Sequence, residues 1–122
     1  MNPVLIVDDA AVIRTYYRTI LTAAGYPVAE VGDGVDALEA ALQQPCSLCI
    51  VDVNMPRLDG FAFLEALRRE PVDQPPALVI TTDRGDDIAG RCRRSGANAY
   101  LPKPVRPETL LAQVALLTGG RA

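Results

Sequence analysis

Residues 48–52 have the sequence Leu-Cys-Ile-Val-Asp, a short apolar run that ends in a carboxylate. An apolar run without alternation is typical of a strand that is buried on both faces of a parallel sheet. Residues 28–31 give a weaker indication of a second strand. Three further runs share the apolar character: Val4-Leu5-Ile6-Val7, Ala77-Leu78-Val79-Ile80 and Ala99-Tyr100-Leu101. The sequence therefore predicts five strands.

A helical pattern follows each predicted strand. The first covers residues 10–24 and stops at Gly25, with apolar positions at Ile13, Tyr16, Ile20 and Ala24. The second begins at Asp33-Gly34, with apolar positions at Ala37, Leu38, Ala41 and Leu42. Asp59 can cap the third, whose apolar positions are Phe61, Leu64 and Leu67. A short polar helix is predicted over about residues 86–95. The last begins at Pro107, with apolar positions at Leu110, Leu111, Val114 and Leu117.

Five strand–helix pairs predict a doubly wound α/β domain, in which helices cover both faces of a parallel sheet. The length of 122 residues suits one domain. We therefore expect a single domain over residues 1–122, with a core of about residues 4–117 and a frayed tail at residues 118–122.

The composition excludes several classes of function. Histidine is absent, which removes Ser-His-Asp and Cys-His catalysis and His-ligated zinc. The net charge of −3 argues against direct binding of nucleic acid, which needs a basic face. No apolar run approaches the ~20 residues of a membrane helix, and the first residues lack the basic region of a signal peptide. We therefore expect a cytoplasmic protein without membrane insertion.

The three cysteines include the pattern Cys46-Ser47-Leu48-Cys49. An odd cysteine count without a secretory signal argues against a disulfide framework. The C-x-x-C pattern has no second pair and leads into a strand rather than a helix, so it favours ordinary cysteines over a metal or redox site. Cys49 is expected to be a small core residue.

Polar residues stand where the predicted strands end. Asp8-Asp9 follow the first strand, Asp52 the third, Thr81-Thr82 end the fourth, and Lys103-Pro104 follow the fifth. In open α/β sheets, ligands bind beyond the carboxyl ends of the strands. Each residue alone has a plainer explanation, such as a helix N-cap for Asp8 or Asp9 or a solvated surface position for Asp52 or Lys103. Together they predict a site.

The chemistry of this set favours a magnesium-dependent phosphoryl site. Three neighbouring carboxylates repel one another, so they favour a bound cation. Oxygen donors suit a hard ion such as Mg²⁺, which also binds phosphate oxygens. Lys103 and the Thr81 hydroxyl can bind a phosphoryl group, and the Asp52 carboxylate can accept one.

The motifs resemble those of the receiver domains of bacterial response regulators, in particular the stand-alone chemotaxis type. The resemblance extends from about Val4 to Leu117 and rests on Asp8-Asp9, Asp52-Val53-Asn54-Met55-Pro56 with Gly60, Ile80-Thr81-Thr82, Ser95-Gly96-Ala97 and Tyr100-Leu101-Pro102-Lys103-Pro104. It implies a flavodoxin-like (βα)5 fold with strand order 2-1-3-4-5.

The resemblance also implies the role of each site residue. Asp52 would accept a phosphoryl group from a histidine kinase or a histidine phosphotransfer protein. Mg²⁺ would be bound by Asp9, Asp52 and the backbone carbonyl of Asn54, with Asp8 acting mainly through water. Thr81 and Lys103 would bind the phosphoryl group.

The resemblance further implies a switch, in which Tyr100 turns inward as Thr81 moves toward the phosphate, and a cis Lys103-Pro104 peptide bond. The switched surface would be formed by helix four, strand five and helix five and would bind a downstream protein. Tyr100 could instead be an ordinary half-buried aromatic residue. We expect a monomer or a weak phosphorylation-dependent dimer.

Several alternatives remain open at this point. The chain could be a receiver domain from a larger regulator or hybrid kinase, or a degenerate receiver that serves only as an interaction module. An aspartate-nucleophile phosphatase would also be α/β and use Mg²⁺, but such enzymes carry Asp-x-Asp after the first strand, where this chain has Asp8-Asp9-Ala10. We therefore expect a phospho-acceptor switch rather than an enzyme.

Overall fold

The computed structural model describes residues 1–119 and contains five strands and five helices within them. In chain order the elements are β1 (Val4–Val7), α1 (Ala11–Ala23), β2 (Val28–Val31), α2 (Gly34–Gln43), β3 (Leu48–Val51), α3 (Gly60–Arg68), β4 (Ala77–Thr81), α4 (Ile88–Ser95), β5 (Ala99–Pro102) and α5 (Pro107–Leu117). The predicted frayed tail, residues 118–122, lies mostly outside the described residues.

The strands form one sheet of parallel neighbours in the order β2-β1-β3-β4-β5, as the resemblance implied. All residues of β1, β3 and β4 are buried. The edge strands β2 and β5 are only partly buried, which explains the weak apolar signal of β2. The fold class predicted from the sequence is therefore confirmed.

Two hydrophobic layers cover the sheet. One layer includes residues from α2, α3 and α4, and the other includes residues from α1 and α5. The side chains of β3 alternate between them, because successive residues of a strand point to opposite faces. Cys49 and Val51 lie in the first layer, whereas Leu48 and Ile50 lie in the second. Both layers are needed to bury runs that are apolar throughout.

Helix α1 faces the sheet differently from the prediction. Tyr16, predicted on its apolar face, is 39% exposed, whereas Tyr17 is 2% exposed and Leu21 is fully buried. Ile13 and Ile20 pack at the border of the core as partly buried residues. Tyr16 and Tyr17 lie three and four residues after Ile13. Both spacings fit one face of a helix, so the sequence could not select the inward tyrosine.

The other helices agree more closely with the sequence. Asp59 caps α3 by accepting a hydrogen bond from the Ala62 amide at 2.8 Å, and Asp33 caps α2 by accepting one from the Asp36 amide at 2.8 Å. All three predicted apolar positions of α3 are buried, whereas Leu42 at the end of α2 is 38% exposed. None of the helices within residues 1–119 has the length and apolar character needed to cross a membrane.

Gly60 allows α3 to start directly against β3. A Cβ atom at this position would lie 2.2 Å from the backbone oxygen of Asp52 and 2.9 Å from Cγ1 of Val51.

We expect Gly60→Ala to destabilise the fold by about 1–3 kcal/mol, the usual cost of overpacking a filled site. Gly32→Ala is the matched control, because its new Cβ would meet only the side chain of Arg14, at 3.4 Å. Urea unfolding would measure the free energy of unfolding of both variants, and equal values would contradict this packing argument.

Candidate functional site

The carboxyl edge of the sheet gathers the predicted acidic residues. Asp8 and Asp9 follow β1, and Asp52 follows the neighbouring strand β3. One carboxylate oxygen from each of the three lies within 4.8 Å of the others. Asp8 is 2% exposed and Asp52 is 9% exposed, whereas Asp9 is exposed. The cluster is therefore a half-buried pocket that opens to solvent at Asp9.

Lys103 supplies the positive charge of the site. Its Nζ atom donates to Asp8 Oδ2 at 3.0 Å and to Asp52 Oδ1 at 3.2 Å. Its backbone amide donates to the Thr81 carbonyl at 2.8 Å, and the Lys103-Pro104 bond is cis, as the resemblance implied. Residues separated by 95 and 51 positions thus meet at one ammonium group.

Backbone hydrogen bonds hold the two buried aspartates beyond the ends of their strands. The Asp8 amide donates to the Val31 carbonyl at 3.2 Å, and the Asp52 amide donates to the Val7 carbonyl at 2.8 Å. These bonds continue the β-ladder past the last strand residue. Asp8 Oδ1 accepts from the Ala10 amide at 2.9 Å rather than capping α1, whose N-cap residue is Ala10.

The electrostatics of the pocket favour a cation. Burial, followed by the negative charge of Asp8, raises the pKa of Asp52, although Lys103 opposes this shift. Burial acts against the charge of Lys103, but its hydrogen bond to Asp8 and the charges of Asp8 and Asp52 outweigh burial and raise its pKa. One ammonium group therefore faces three carboxylates, and a divalent ion would compensate the remaining negative charge.

The donor set fits Mg²⁺ better than a softer metal. The three clustered side chains offer only carboxylate oxygens, which hard divalent ions prefer. Asn54, whose backbone carbonyl is the further predicted ligand, lies in the exposed loop after β3. The residues present therefore fit the ion that the sequence implied, with the assignment of individual ligands remaining a prediction.

Ion pairs fasten the loop that follows β3. Arg57 adopts a left-handed backbone conformation with φ of 67°, which is uncommon for residues other than glycine. Its guanidinium binds Asp33 Oδ2 at 2.6 Å and Asp36 Oδ1 at 2.9 Å, both at the start of α2. The Gly34 amide also donates to the Leu58 carbonyl at 3.1 Å. The loop that carries Asn54 is thereby tied to a neighbouring helix.

Thr81 and Tyr100 lie on adjacent strands at different depths. Thr81 is fully buried at the end of β4, and its Oγ1 accepts a hydrogen bond from the Asp83 amide at 3.0 Å. Tyr100 lies opposite Val79 in β5 and is 36% exposed. Thr81 is thus near the Lys103 backbone at the acidic edge, whereas Tyr100 lies in the edge strand β5 and is in contact with solvent.

Two residues of the site were missed at the sequence level. Arg14 Nη1 donates to the Asp8 carbonyl at 2.7 Å and holds the end of β1 from helix α1. Tyr17 packs near the carboxylates, where burial and then the charges of Asp8 and Asp52 raise its pKa. Tyr17 lies four residues before the buried Leu21, and Arg14 lies three residues before Tyr17, so choosing the helix face that contains Tyr17 and Leu21 would have indicated both.

Comparison with known proteins agrees with this geometry. A family model described as "Response regulator receiver domain" matches residues 4–115. The "Probable chemotaxis protein CheY" of Rhizobium etli is 36% identical over 118 residues, which cover 95% of this chain and 92% of that protein. Response regulator MprA of Mycobacterium leprae is 39% identical over 116 residues, 93% of this chain, but the match spans only 50% of MprA.

Solved structures show the same fold. The structure of chemotaxis protein CheY4 of Vibrio cholerae superposes with a TM-score of 0.88 at 36% identity, covering 96% of this chain and 98% of CheY4. The match to the family extends over nearly all the described residues and includes every strand whose end contributes to the acidic pocket. This chain therefore belongs to the response regulator receiver domain family of two-component signalling.

Proposed function

We propose that Asp52 accepts a phosphoryl group in a Mg²⁺-dependent reaction, from the phosphohistidine of a histidine kinase or a histidine phosphotransfer protein. The observation that carries this proposal is the position of Asp52, which lies within 4.8 Å of two further carboxylates and 3.2 Å from the ammonium of Lys103. A carboxylate in such a place has both a charge partner and a set of ligands for a cation.

The proposed reaction uses each residue of the pocket. An oxygen of Asp52 attacks phosphorus, the P–N bond to the donor imidazole breaks, and the imidazole leaves with a proton. Asp8, Asp9, Asp52 and the backbone of Asn54 would hold Mg²⁺, which neutralises the approaching phosphoryl group. Lys103 can then pair with a phosphoryl oxygen, and the Thr81 hydroxyl can donate to another.

Phosphorylation would act as a switch of the surface formed by α4, β5 and α5. Phosphorylation would replace the single charge of the Asp52 carboxylate with a phosphoryl group that carries a charge of about −1.5 to −2. Thr81 would leave the Asp83 amide to reach this group. The space vacated near β4 would favour an inward Tyr100, which is now 36% exposed. The altered surface would bind a downstream protein rather than nucleic acid.

The chain is proposed to be a phospho-acceptor switch rather than an enzyme, because its own Asp52 would receive the phosphoryl group. Its proposed location is the cytoplasm. Because MprA is about twice as long as the part that matches, the domain could equally operate within a larger regulator or hybrid kinase. The free domain is proposed to be a monomer or a weak phosphorylation-dependent dimer.

Incubation with Mg²⁺ and acetyl phosphate is expected to add one phosphoryl group to the wild-type protein. Asp52→Asn should remove this labelling, because an amide is not a nucleophile for phosphorus. Asp73→Asn, an exposed position between α3 and β4, is the matched control and should label like wild type. Intact-mass measurement at neutral pH would detect the adduct.

Equal labelling of Asp52→Asn and wild type would overturn the assignment of Asp52 as the phosphoryl acceptor. Turnover of phosphate monoesters would favour a phosphatase.

In the presence of chelator, Asp52→Asn should unfold at a higher temperature than wild type, because it removes a buried charge that Asp8 repels. The folded pKa of Asp52 is raised above 3.8, so wild type loses stability as pH rises through that raised pKa. The advantage of the variant should therefore be small near pH 4 and grow toward pH 7. Differential scanning calorimetry across this range would measure it.

Mg²⁺ should reverse this order by stabilising wild type more than Asp52→Asn, because Asp52→Asn lacks one of the three carboxylates. Asp73→Asn should follow wild type both with and without the ion. If Asp52→Asn were the less stable protein in chelator, the electrostatic description of the pocket would be wrong.

The switch can be followed with a single fluorophore, because the chain contains no tryptophan. In the Tyr100→Trp variant, Mg²⁺ with beryllofluoride is expected to shift the emission to shorter wavelength as the indole becomes buried. Adding Thr81→Ala should remove most of the shift while binding of beryllofluoride, followed by ¹⁹F NMR, continues. A full shift in the double variant would show that Thr81 does not transmit the change.

A further inference from the structure

A pair of thiols lies at the amino end of β3, the end opposite Asp52. The Sγ atoms of Cys46 and Cys49 are 3.6 Å apart, and both residues are free cysteines. Cys49 is the second residue of β3, and Cys46 precedes the strand. The sequence could not show this proximity, because the distance between two side chains in a C-x-x-C segment depends on how the backbone turns between them.

The two thiols differ in exposure and in freedom to move. Cys49 is fully buried, and its backbone amide donates to the Pro76 carbonyl at 2.9 Å within the sheet. Cys46 is partly exposed and lies outside the regular elements, in the turn between α2 and β3. A small reagent from solvent can therefore reach Cys46 first, while Cys49 stays fixed behind it.

The surroundings shift the pKa values of the two thiols in opposite directions. The hydrogen bond from Cys49 lowers the pKa of Cys46 although burial opposes it, and the positive charge of Arg68 lowers it further. The bond to Cys46, followed by burial, raises the pKa of Cys49 well above its ordinary value. Cys46 is thus the better nucleophile, since the thiolate is the reactive form.

We propose that Cys46 and Cys49 form a redox modification site, at which a hydroperoxide converts the thiol pair into a reversible intramolecular disulfide. The Cys46 thiolate attacks the terminal peroxide oxygen and the O–O bond breaks, which gives a sulfenic acid. The leaving alkoxide or hydroxide takes a proton from solvent and becomes an alcohol or water. The Cys49 sulfur then attacks the sulfenic sulfur, loses its proton, and displaces water. Overall, two thiols are oxidised and one peroxide is reduced.

Closure requires only a local movement. A disulfide has an S–S length of about 2.05 Å, so the sulfur atoms must approach each other by about 1.5 Å. The movement falls on Cys46, because Cys46 lies outside β3 whereas Cys49 lies within the strand. In a reducing compartment, such a bond is expected to be transient and to be reversed by thiol–disulfide exchange.

The experiment treats the folded 122-residue chain with hydrogen peroxide and then blocks the remaining thiols with an alkylating reagent under denaturing conditions. The chain has three cysteines, so the disulfide should reduce alkylation from three groups to one. Peptide mapping should place the bond between Cys46 and Cys49, and dithiothreitol should restore all three thiols. Oxidation without a bond between these two residues would overturn the proposal.

Cys92 provides the matched control. It is buried in α4, so Cys92→Ala should form the disulfide at the wild-type rate. Cys46→Ser should abolish disulfide formation and leave Cys49 unreacted. Cys49→Ala should instead accumulate sulfenic acid on Cys46, which dimedone traps, and circular dichroism would verify its fold. Rapid disulfide formation in Cys46→Ser, through Cys92, would contradict the assigned pair.

The phosphoryl-acceptor site supplies an independent readout. Because the thiols lie at the other end of β3, Cys46→Ser should label with acetyl phosphate like wild type. The redox proposal can therefore fail while the proposed function of Asp52 stands, and the reverse also holds.

Discussion

The double ion pair of Lys103 with Asp8 and Asp52 is the interaction on which the acidic pocket depends. Parallel strands bring their carboxyl ends to one edge, and here three of the groups delivered to that edge are carboxylates. Burial and then the negative charge of Asp8 raise the pKa of Asp52. Lys103 offsets part of this repulsion and leaves a negative site suited to a divalent ion and then a phosphoryl group.

Backbone contacts position the two buried aspartates, and the Arg57 side chain fastens the loop that follows them. The amides of Asp8 and Asp52 extend the ladders of the central strands, and Gly60 lets α3 contact the carbonyl of Asp52. Arg57 fastens the following loop to α2. The carboxylates are therefore placed by elements whose own stability comes from the two hydrophobic layers, and substitution within the pocket need not unfold the domain.

Strand β3 carries reactive groups at both ends, and the ends differ in their surroundings. At its carboxyl end Asp52 lies beside the carboxylates of Asp8 and Asp9 and the ammonium group of Lys103. At its amino end Cys49 is enclosed by the core, and only Cys46 is accessible. Proposed phosphoryl transfer and proposed thiol oxidation thus share a strand but use separate surfaces, so one modification need not interfere with the other.

The sequence alone determined the five strands, the α/β class, the cap at Asp59, and the carboxylates at the strand ends, because these follow from local patterns and chain order. The motifs also indicated the family before any geometry was available. Only the tertiary structure decided which tyrosine of α1 faces the core, that Arg14 and Arg57 support the pocket, and that two sulfur atoms lie 3.6 Å apart. These features depend on helix rotation and backbone direction, which local residue patterns do not specify.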